Sequence, residues 1–373
     1  MRIPLVVRRW WAGPALLLLL ALLPAPVSAQ PGWYYLPELT LSETFDDNVF
    51  GASSRRESDF ITRLSSGVKI GYRSRPLTFL LTSAFDAEAY AKHSDLDGLN
   101  RTETGFEGQW VALPRLTLRL NGAFTKTETP SELVSTLGLE LGRQSSTDLS
   151  LAPSLSFRLR RTTLLEAGYT YHNTEAGDVT STTHEPRVRL SEQLTRVDLG
   201  TLAYVFRLID SGGSRAESHV LLAGWARRLS ARTGLILEAG PRLSDSGVNA
   251  EVNASLTHRW ASWIDSTAGY SRSQQTIPTR AGPVDAQAVT ASVSAVPLRP
   301  LTVGLNVTLS QVTQKPNDVL TEAAGLAVVY RLNRWLRAVG SYHFTHSESG
   351  GQATYHSLVS VGLQARYPTR LDD

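Results

Sequence analysis

Hydrophobic and polar residues alternate with a period of two along most of this chain. From Leu301 to Leu309 every odd-numbered residue is leucine or valine, and the residues between them are threonine, glycine and asparagine. Similar alternation recurs near residues 77–85, 116–124 and 149–157. Because successive side chains of a β-strand point to opposite faces, this pattern predicts strands with one apolar and one polar face. Helical spacing fits none of these stretches.

Two kinds of connection alternate between the predicted strands. The short kind carries arginine, proline or small residues, and its centres lie near Pro76, Pro114, Arg161, Arg196, Ala231, Ser262, Leu298 and Asn333. The long kind is polar, as in "DDNVFGASSRRES", "KHSDLDGLN", "HNTEAGDVTST", "DSGGSRAES", "SDSGVNAE" and "HSESGGQAT". Eight short turns and nine long loops predict eighteen strands, with sixteen to eighteen as the range.

Short turns at one end and long loops at the other are typical of outer-membrane β-barrels, whose short turns face the periplasm. In hydrocarbon every backbone N–H and C=O needs a partner, so such a sheet must close on itself. The polar half of each alternation then faces a water-filled lumen. We therefore predict an all-β, antiparallel transmembrane barrel of about 18 strands. It forms a single domain over residues 30–373, with a short periplasmic tail at 368–373, in the outer membrane of a Gram-negative bacterium.

Tryptophan positions support this orientation. Five tryptophans lie close to predicted short turns and one precedes the first strand; together they are Trp33, Trp110, Trp225, Trp260, Trp263 and Trp335. They would form an aromatic ring at the periplasmic interface of the membrane. A second ring near the long loops would contain Tyr171, Tyr270, Tyr342, Phe344 and Tyr355.

The first 29 residues have the features of a secretory signal peptide. Arg2, Arg8 and Arg9 precede an apolar run at Leu16–Leu23, and small residues at 27–29 form a cleavage site. The whole chain has a formal net charge of +3, and this segment holds three arginines and no acidic residue. The mature chain is therefore nearly neutral, which gives no electrostatic support for a nucleic-acid partner.

Composition and motifs argue against catalysis and against a resident metal or cofactor. The chain has no cysteine, which excludes a disulfide scaffold and thiol chemistry. The segment "DSGGS" at 210–214 lies in a predicted loop without an oriented histidine and aspartate. His343 and His346 are three residues apart and would point to opposite faces of a strand, whereas His172 and His184 flank one loop and could approach each other. We therefore expect no enzyme activity, no cofactor and no metal site.

Charged residues on the polar faces are the candidate pore-lining residues. By alternation they are Arg119, Arg158, Arg187, Arg189, Arg207, Arg242, Arg259, Arg337, Asp86, Glu88, Glu103, Glu107, Glu166 and Glu238. Two interpretations stay open. Any water-filled barrel needs a polar lining, and such charges pair across strands for stability. Alternatively, the lumen is tuned for a charged or sugar-like solute, since arginine suits carboxylate and sugar contacts.

The two ends of the predicted barrel carry short motifs. The first strand resembles the start of a family of β-barrel porins associated with exopolysaccharide and PEP-CTERM gene clusters, through Ser42, Glu43, Phe45, Asp47 and Asn48. The last strand resembles the signal read by the barrel-assembly machinery, through Ser360, Gly362, Ala365 and Tyr367. Aspartate and asparagine are also good turn formers, and an acidic rim could bind divalent ions that bridge lipopolysaccharide.

The family resemblance implies a role in exporting exopolysaccharide, capsular or biofilm polysaccharide across the outer membrane. Its implied partners are the polysaccharide and a periplasmic polysaccharide-export protein. The signal in the last strand adds the barrel-assembly machinery, and a barrel in this membrane would also contact outer-membrane lipid and lipopolysaccharide. Two other functions stay open on the residues alone. One is a general or small-solute porin, and the other is a closed structural or adhesin barrel.

Overall fold

The computed structural model describes residues 32–366, except Ser135, Ser246 and 314–317. These residues form one antiparallel barrel of eighteen strands, in which each strand pairs with its neighbours in sequence and β1 pairs with β18. The predicted fold class and strand count are confirmed. The strands are β1 Gly32–Asp46, β2 Asp59–Arg73, β3 Leu77–Tyr90, β4 Gly98–Leu113, β5 Leu116–Thr127, β6 Ser146–Arg158, β7 Thr163–Ala176, β8 Val179–Gln193, β9 Asp198–Ser211, β10 Ser214–Arg228, β11 Thr233–Ser244, β12 Gly247–Ala261, β13 Ile264–Ile277, β14 Arg280–Leu298, β15 Leu301–Thr313, β16 Val319–Arg331, β17 Leu336–Ser349 and β18 Gln352–Arg366.

Helical structure in the described residues is limited to two short 3-10 helices, Ser94–Leu96 and Pro130–Val134. No helix in this part of the chain is long and apolar enough to cross a membrane. The predicted signal peptide and the predicted tail at 368–373 lie outside the described residues, and so does Tyr367.

The eight short turns fall where the sequence predicts them. Each contains two to four residues, and the only displaced centre is Leu298, which is the last residue of β14 rather than part of the turn. The tryptophans near these turns are exposed, from 36% for Trp225 to 63% for Trp33. Trp33, Trp110, Trp225 and Trp260 occupy outward strand positions, and Trp263 and Trp335 lie in the turns themselves. The predicted ring of tryptophan at the short-turn end is therefore confirmed.

The prediction of nine long loops is partly wrong. The polar segments around 172–182, 210–218 and 346–354 continue as paired strands that end in two-residue turns at Gly177–Asp178, Gly212–Gly213 and Gly350–Gly351. Beyond the membrane both faces of a hairpin meet water, so a polar sequence pairs as well as an alternating one. The glycines allow the tight turns because all five adopt positive φ. Long loops remain at 47–58, 91–97 and 128–145.

The barrel closes where β1 meets β18. The strand register runs from Glu38 opposite Arg366 to Asp46 opposite Leu358. Beyond it, the motif residues continue the closure. The Asp47 carboxylate accepts a hydrogen bond from the Ser357 N–H at 2.7 Å. The Asn48 side-chain amide donates to the Tyr355 carbonyl at 3.0 Å. We call this β1–β18 junction the seam.

Gly362 allows the two seam strands to approach each other. A Cβ atom at Gly362 would lie 2.6 Å from the Leu41 carbonyl oxygen and 2.7 Å from the Ser42 Cβ. Beside it, the Thr44 hydroxyl donates to the Ser360 hydroxyl at 3.0 Å. Ser360 and Gly362 of the predicted assembly signal thus have structural roles in closing the barrel.

Candidate functional site: the lumen

The loop between β5 and β6, residues 128–145, folds into the barrel; we call it the infolded loop. Its Leu137, Leu139 and Leu141 are buried against inward-facing residues of the opposite wall. These wall residues are Ile277, Val284, Ala286, Ala288, Val312 and Val319. Because β13–β16 lie about halfway around the barrel from β5 and β6, the loop crosses the lumen.

Polar contacts fix the infolded loop to β15 and to two further strands, β18 and β3. The Ser310 hydroxyl of β15 donates to the Leu137 carbonyl at 2.5 Å. Glu140 forms an ion pair with His356 of β18, with its Oε2 3.0 Å from the imidazole Nδ1. Arg143 donates to the hydroxyl of Tyr90 on β3 at 2.7 Å. The loop is therefore anchored on several sides of the lumen.

The hairpin between β13 and β14 also bends over the long-loop mouth. Its tip reaches the β9–β10 turn, where the Gly282 N–H donates to the Ser211 hydroxyl at 3.1 Å. A Cβ atom at Gly212 would lie 2.4 Å from the Cβ of Ala281, so glycine is needed at this contact. This hairpin and the infolded loop together narrow the long-loop mouth of the barrel.

Arginines on the inner wall are matched to carboxylates. Arg187 and Arg189 are on β8, and both bind Glu238 of β11. The distances from guanidinium Nη2 to carboxylate oxygen are 3.1 Å for Arg187 and 2.5 Å for Arg189. Since β8 and β11 are not adjacent, these bonds link parts of the wall that the sheet does not join directly.

The same network continues nearer the long-loop end. Arg207 of β9 binds Glu185 and Glu251, each at 2.7 Å. Arg242 of β11 lies 3.5 Å from Glu251 and also binds Asp285 of β14. Arg242 is only 1% exposed and Glu251 only 7%. Buried charges of this kind are tolerated because every one has an opposite partner.

A second cluster lies on the other side of the lumen. Arg63 of β2 binds Glu88 of β3 at 2.5 Å. Glu88 also accepts hydrogen bonds from the Tyr90 hydroxyl at 2.7 Å and the Asn100 side-chain amide at 2.8 Å. Tyr90 in turn receives the bond from Arg143, so this cluster connects the wall to the infolded loop.

The structure places all fourteen pore-lining candidates on inward-facing strand positions. Most are in the clusters above or in local pairs, such as Arg101 with Glu103 at 2.9 Å and Arg259 with Asp265 at 2.8 Å. Arg119 donates to Ser156, whose hydroxyl donates to Glu166. Arg158 and Arg337 lie at the short-turn end. Asp86 and Glu107 complete the set on β3 and β4.

Several partners were not identified from the sequence. They are Arg63, Glu140, Glu185, Glu251, Asp285 and His356. Glu185 and Glu251 occupy the same alternate strand positions as the inward-facing charged residues around them. The alternation therefore already predicted that both face the lumen. The signal for the infolded loop was the spacing of Leu137, Leu139 and Leu141, which alternate as if in a strand.

The family-motif residues are divided among three environments. Ser42 faces the lumen, while Glu43 lies on the outer face and accepts a hydrogen bond from the Thr62 hydroxyl at 2.8 Å. Phe45 also faces outward and packs on Phe60, with ring centroids 5.1 Å apart. Asp47 and Asn48 belong to the seam. Asp47 and Asn48 therefore help to close the barrel, and the five motif residues do not form one site in the lumen.

His172 and His184 lie on opposite faces of the β7–β8 hairpin. His172 faces inward and binds Asp148 at 2.5 Å, whereas His184 faces outward and binds the Tyr169 hydroxyl at 2.6 Å. The approach that their positions beside one loop allowed does not occur, because the hairpin register places them on opposite faces.

One group of side chains in the described residues has the spacing of metal ligands: Asp46, Asp47 and His356, whose ligand atoms lie within 4.8 Å of one another. These groups already bond within the protein. Asp46 accepts from His356 at 2.9 Å and from the Asn48 N–H at 2.7 Å. These three side chains therefore stabilise the seam and, through His356, the anchor of the infolded loop.

Comparisons with known proteins agree with the fold. No protein-family model and no curated protein matches the sequence. The structure is similar to OpdO of Pseudomonas aeruginosa, with a TM-score of 0.51 and 11% identity over 90% of this chain and 97% of that one. It is also similar to OccK11 (OpdR) of the same organism, with a TM-score of 0.48, 14% identity, and coverage of 91% and 98%. A third similar structure is the siderophore receptor PirA of P. aeruginosa, with a TM-score of 0.43, 8% identity, and coverage of 89% and 80%.

The closed eighteen-stranded barrel with its apolar outer face defines this chain as an integral outer-membrane β-barrel protein of a Gram-negative bacterium. At these sequence identities the structural similarity supports the fold alone. By the rule for such barrels, the short turns face the periplasm and the long-loop end faces outward.

Proposed function

We propose that this protein is an outer-membrane channel for small solutes, narrowed from within by the infolded loop. The observation that carries the proposal is the combination of an inward face rich in charged and hydroxyl groups with a loop docked across it. A purely structural barrel could fill its interior with apolar side chains. A constriction within a polar wall is what a solute channel needs to limit the size of what passes.

Polysaccharide export receives less support and stays a prediction from the family resemblance. A polymer needs one continuous hydrated path, whereas the infolded loop is fixed to β3, β15 and β18 within that path. Export would require the loop to leave its apolar contacts with the opposite wall. We also propose that the protein is not an enzyme, because the described polar clusters act as mutual ion pairs and hydrogen bonds.

Single-channel recording in planar bilayers tests the small-solute function. The wild-type barrel should conduct in small, uniform steps, and replacing residues 129–144 with a short glycine-serine linker should increase the conductance several-fold. A control variant with Leu309→Ala on the lipid face should conduct like the wild type. Absence of conductance in both the wild type and the loop variant would contradict the channel and favour a closed structural barrel.

Liposome swelling separates small-solute passage from polymer passage. Monosaccharides should enter wild-type proteoliposomes while larger oligosaccharides stay outside, and the loop variant should admit larger sugars. If the wild type admits long oligosaccharides at a rate similar to that of the loop variant, the loop is not a constriction and the polysaccharide function gains support. In cells, deletion of the gene should leave surface polysaccharide unchanged.

A further inference from the structure

Arginines are concentrated at the short turns. Taking each turn with three strand residues on either side, every one of the eight turns carries at least one arginine, and none carries a lysine. The set is Arg73, Arg75, Arg115, Arg158, Arg160, Arg161, Arg196, Arg227, Arg228, Arg232, Arg259, Arg299, Arg331, Arg334 and Arg337. The same segments hold only three carboxylates, which are Glu192, Asp198 and Asp265. We call this ring the arginine rim. It is not evident from the net charge, because the mature chain as a whole is nearly neutral.

The arginine rim differs from the inner wall in how its charges are satisfied. Higher in the lumen, the arginines of the network bind carboxylates of the same chain. In the rim, only Arg227 and Arg259 lie within 4.0 Å of a carboxylate in the described part of the chain, at 3.7 Å from Asp198 and 2.8 Å from Asp265. All rim arginines except Arg337 are exposed. The positive charge is therefore available to a partner.

Two local arrangements indicate that the partner is anionic. Arg331 and Arg337 stand directly opposite each other in the β16–β17 register. Like charges in opposite positions destabilise a strand pair unless an anion lies between them. Between β8 and β13, five arginines and one carboxylate, Asp265, line a cavity of about 810 Å³ at the short-turn mouth. The arginines are Arg196, Arg227, Arg228, Arg232 and Arg259. This volume is large enough to admit several residues of an extended chain.

Most strand-end arginines face the mouth of the barrel and not the lipid. Phe157 and Tyr330 point outward, so the adjacent Arg158 and Arg331 point inward by strand alternation. The outward positions at this end carry aromatic residues, which suit the membrane interface. A lipid headgroup would therefore meet aromatic rings at these strands, whereas a body beneath the barrel would meet guanidinium groups.

Two arginines of the rim are held against tryptophan rings. The guanidinium of Arg227 lies 5.8 Å from the ring centre of Trp225, and that of Arg334 lies 5.3 Å from the ring centre of Trp335. Trp225 and Arg227 occupy outward positions of β10, whereas Arg334 and Trp335 lie in the turn between β16 and β17. The ring contacts make these two guanidinium groups less available to a partner than those of Arg228 and Arg331, which share the same turns and face the mouth.

We infer that the arginine rim is a docking surface for an acidic segment of a periplasmic protein. A closed barrel of eighteen strands has a backbone diameter of about 35 Å. A small anion could reach only a few of its turns. A protein covers about 800 Å² of each partner in a standard interface, which matches the scale of the rim. Guanidinium groups bind carboxylates in a bidentate manner, and short hydrogen-bonded turns hold them in place.

Binding of fluorescein-labelled poly-L-glutamate to the full barrel in phosphatidylcholine nanodiscs tests this surface by fluorescence anisotropy. The wild type should bind at low salt, and binding should weaken as salt screens the charges. Reversal of the mouth-facing pair, R228E/R331E, should weaken binding about tenfold or more, because it places carboxylates in the docking surface. A matched reversal at the opposite end of the barrel, R55E/R56E in the exposed loop 47–58, should change affinity less than about twofold because these arginines lie far from the short turns.

The controls separate the other ligands. Free glutamate or inorganic phosphate that competes as well as poly-L-glutamate at equal charge concentration would assign the rim to small anions and overturn the proposal. Equal loss in R228E/R331E and R55E/R56E would assign the binding to general electrostatic attraction and overturn the proposal. Full competition by phosphatidylglycerol in the disc would assign the rim to lipid and would also overturn it. No binding by the wild type would also overturn it.

Folding of each variant is checked by its heat-dependent mobility in gel electrophoresis. If a reversal variant does not fold, R228Q/R331Q and R55Q/R56Q replace the two pairs, with the same order of effects expected. The measurement needs no ion flow, so it is independent of the proposed channel function. A barrel that conducts without binding poly-L-glutamate would overturn only the docking surface.

Discussion

The position of one missing side chain controls the closure of the barrel. At Gly362 the opposing backbone of β1 occupies the space that a Cβ atom would need. Gly304, on an inward position of β15, has no neighbouring atom within 4 Å of the same point. Substitution of each glycine by alanine therefore adds the same methyl group to a crowded and to an open environment.

We predict that Gly362→Ala destabilises the barrel by about 1–3 kcal/mol, because β1 or β18 must shift to accommodate the methyl group. Gly304→Ala should be nearly neutral. The measurement is urea unfolding of purified, refolded protein followed by tryptophan fluorescence, which avoids any effect on cellular assembly. Equal stability of the two variants would contradict the close approach at the seam.

Among single residues, His93 also has a structural role, because it connects two external loops. Its Nε2 lies 2.8 Å from Glu57 and its Nδ1 2.8 Å from Asp59. Hydrogen bonds first to Glu57 and then to Asp59 raise the pKa of His93 above its usual value of 6.5. A raised pKa means that the protonated form stabilises the folded loops. This stabilisation is complete below the unfolded pKa and is lost as pH rises through the folded pKa.

We therefore predict that the external loops loosen at alkaline pH. Trypsin cleavage after Arg55 and Arg56, in the first of these loops, should be slower in the wild type than in H93Q at pH 6. The two rates should converge as pH rises above the folded pKa. Each comparison is made in one buffer, so the pH dependence of trypsin cancels. A constant difference across the pH range would show that protonation of His93 does not hold the loops.

The infolded loop has the greatest influence on function among the elements. Its three leucines bury apolar surface against an apolar patch of the inner wall. Their contacts with the opposite wall, together with the bond from Ser310, hold the loop in the lumen. The loop is therefore a docked element whose position has its own free energy, separate from that of the barrel.

We predict that Leu137→Ala weakens docking of the loop by about 2–4 kcal/mol, since it removes a buried side chain and leaves a cavity. Hydrogen exchange should become faster for amides in 128–145 and stay unchanged in the strands. Leu309→Ala, on the outer face, is the control and should change neither. Unchanged exchange in the loop would mean that polar contacts alone fix it.

The elements differ in how far the sequence determines them. Strands and short turns were predictable from the sequence. Within the membrane one face of each strand meets lipid and the other meets water, so apolar and polar residues alternate. Segments such as "YRSRPLTF" and "VALPRLTL" interrupt this alternation sharply. Outside the membrane this constraint disappears. Segments such as "HNTEAGDVTST" therefore gave no sign that they form hairpins, and the path of 128–145 depends on a wall more than a hundred residues away.

The ion-pair network operates at the scale of the whole molecule. It joins β8, β9, β11, β12 and β14 through side chains that cross the inner face. Glu251 occupies its centre because it neutralises both Arg207 and Arg242. The sequence placed these arginines on the inner face but could not pair them, since alternation defines a face and not a distance.

We predict that Glu251→Gln destabilises the barrel by about 3 kcal/mol, because it leaves buried arginines with too few carboxylates. Glu103→Gln, which affects a half-exposed pair with Arg101, should cost less than about 1 kcal/mol. Urea unfolding of both variants provides the measurement. Similar small costs would show that water or the remaining carboxylates compensate within the network.

The seam has a consequence for the order in which the molecule folds. Asp47 bonds to Ser357 across 310 positions of the chain, so no local event can close the barrel. Pairing between such distant segments is slow because the chain must first lose much of its conformational entropy. Until β18 arrives, both β1 and the growing end present open strand edges that can pair with other chains. The last strand therefore completes the fold and ends the period in which the chain is prone to aggregation.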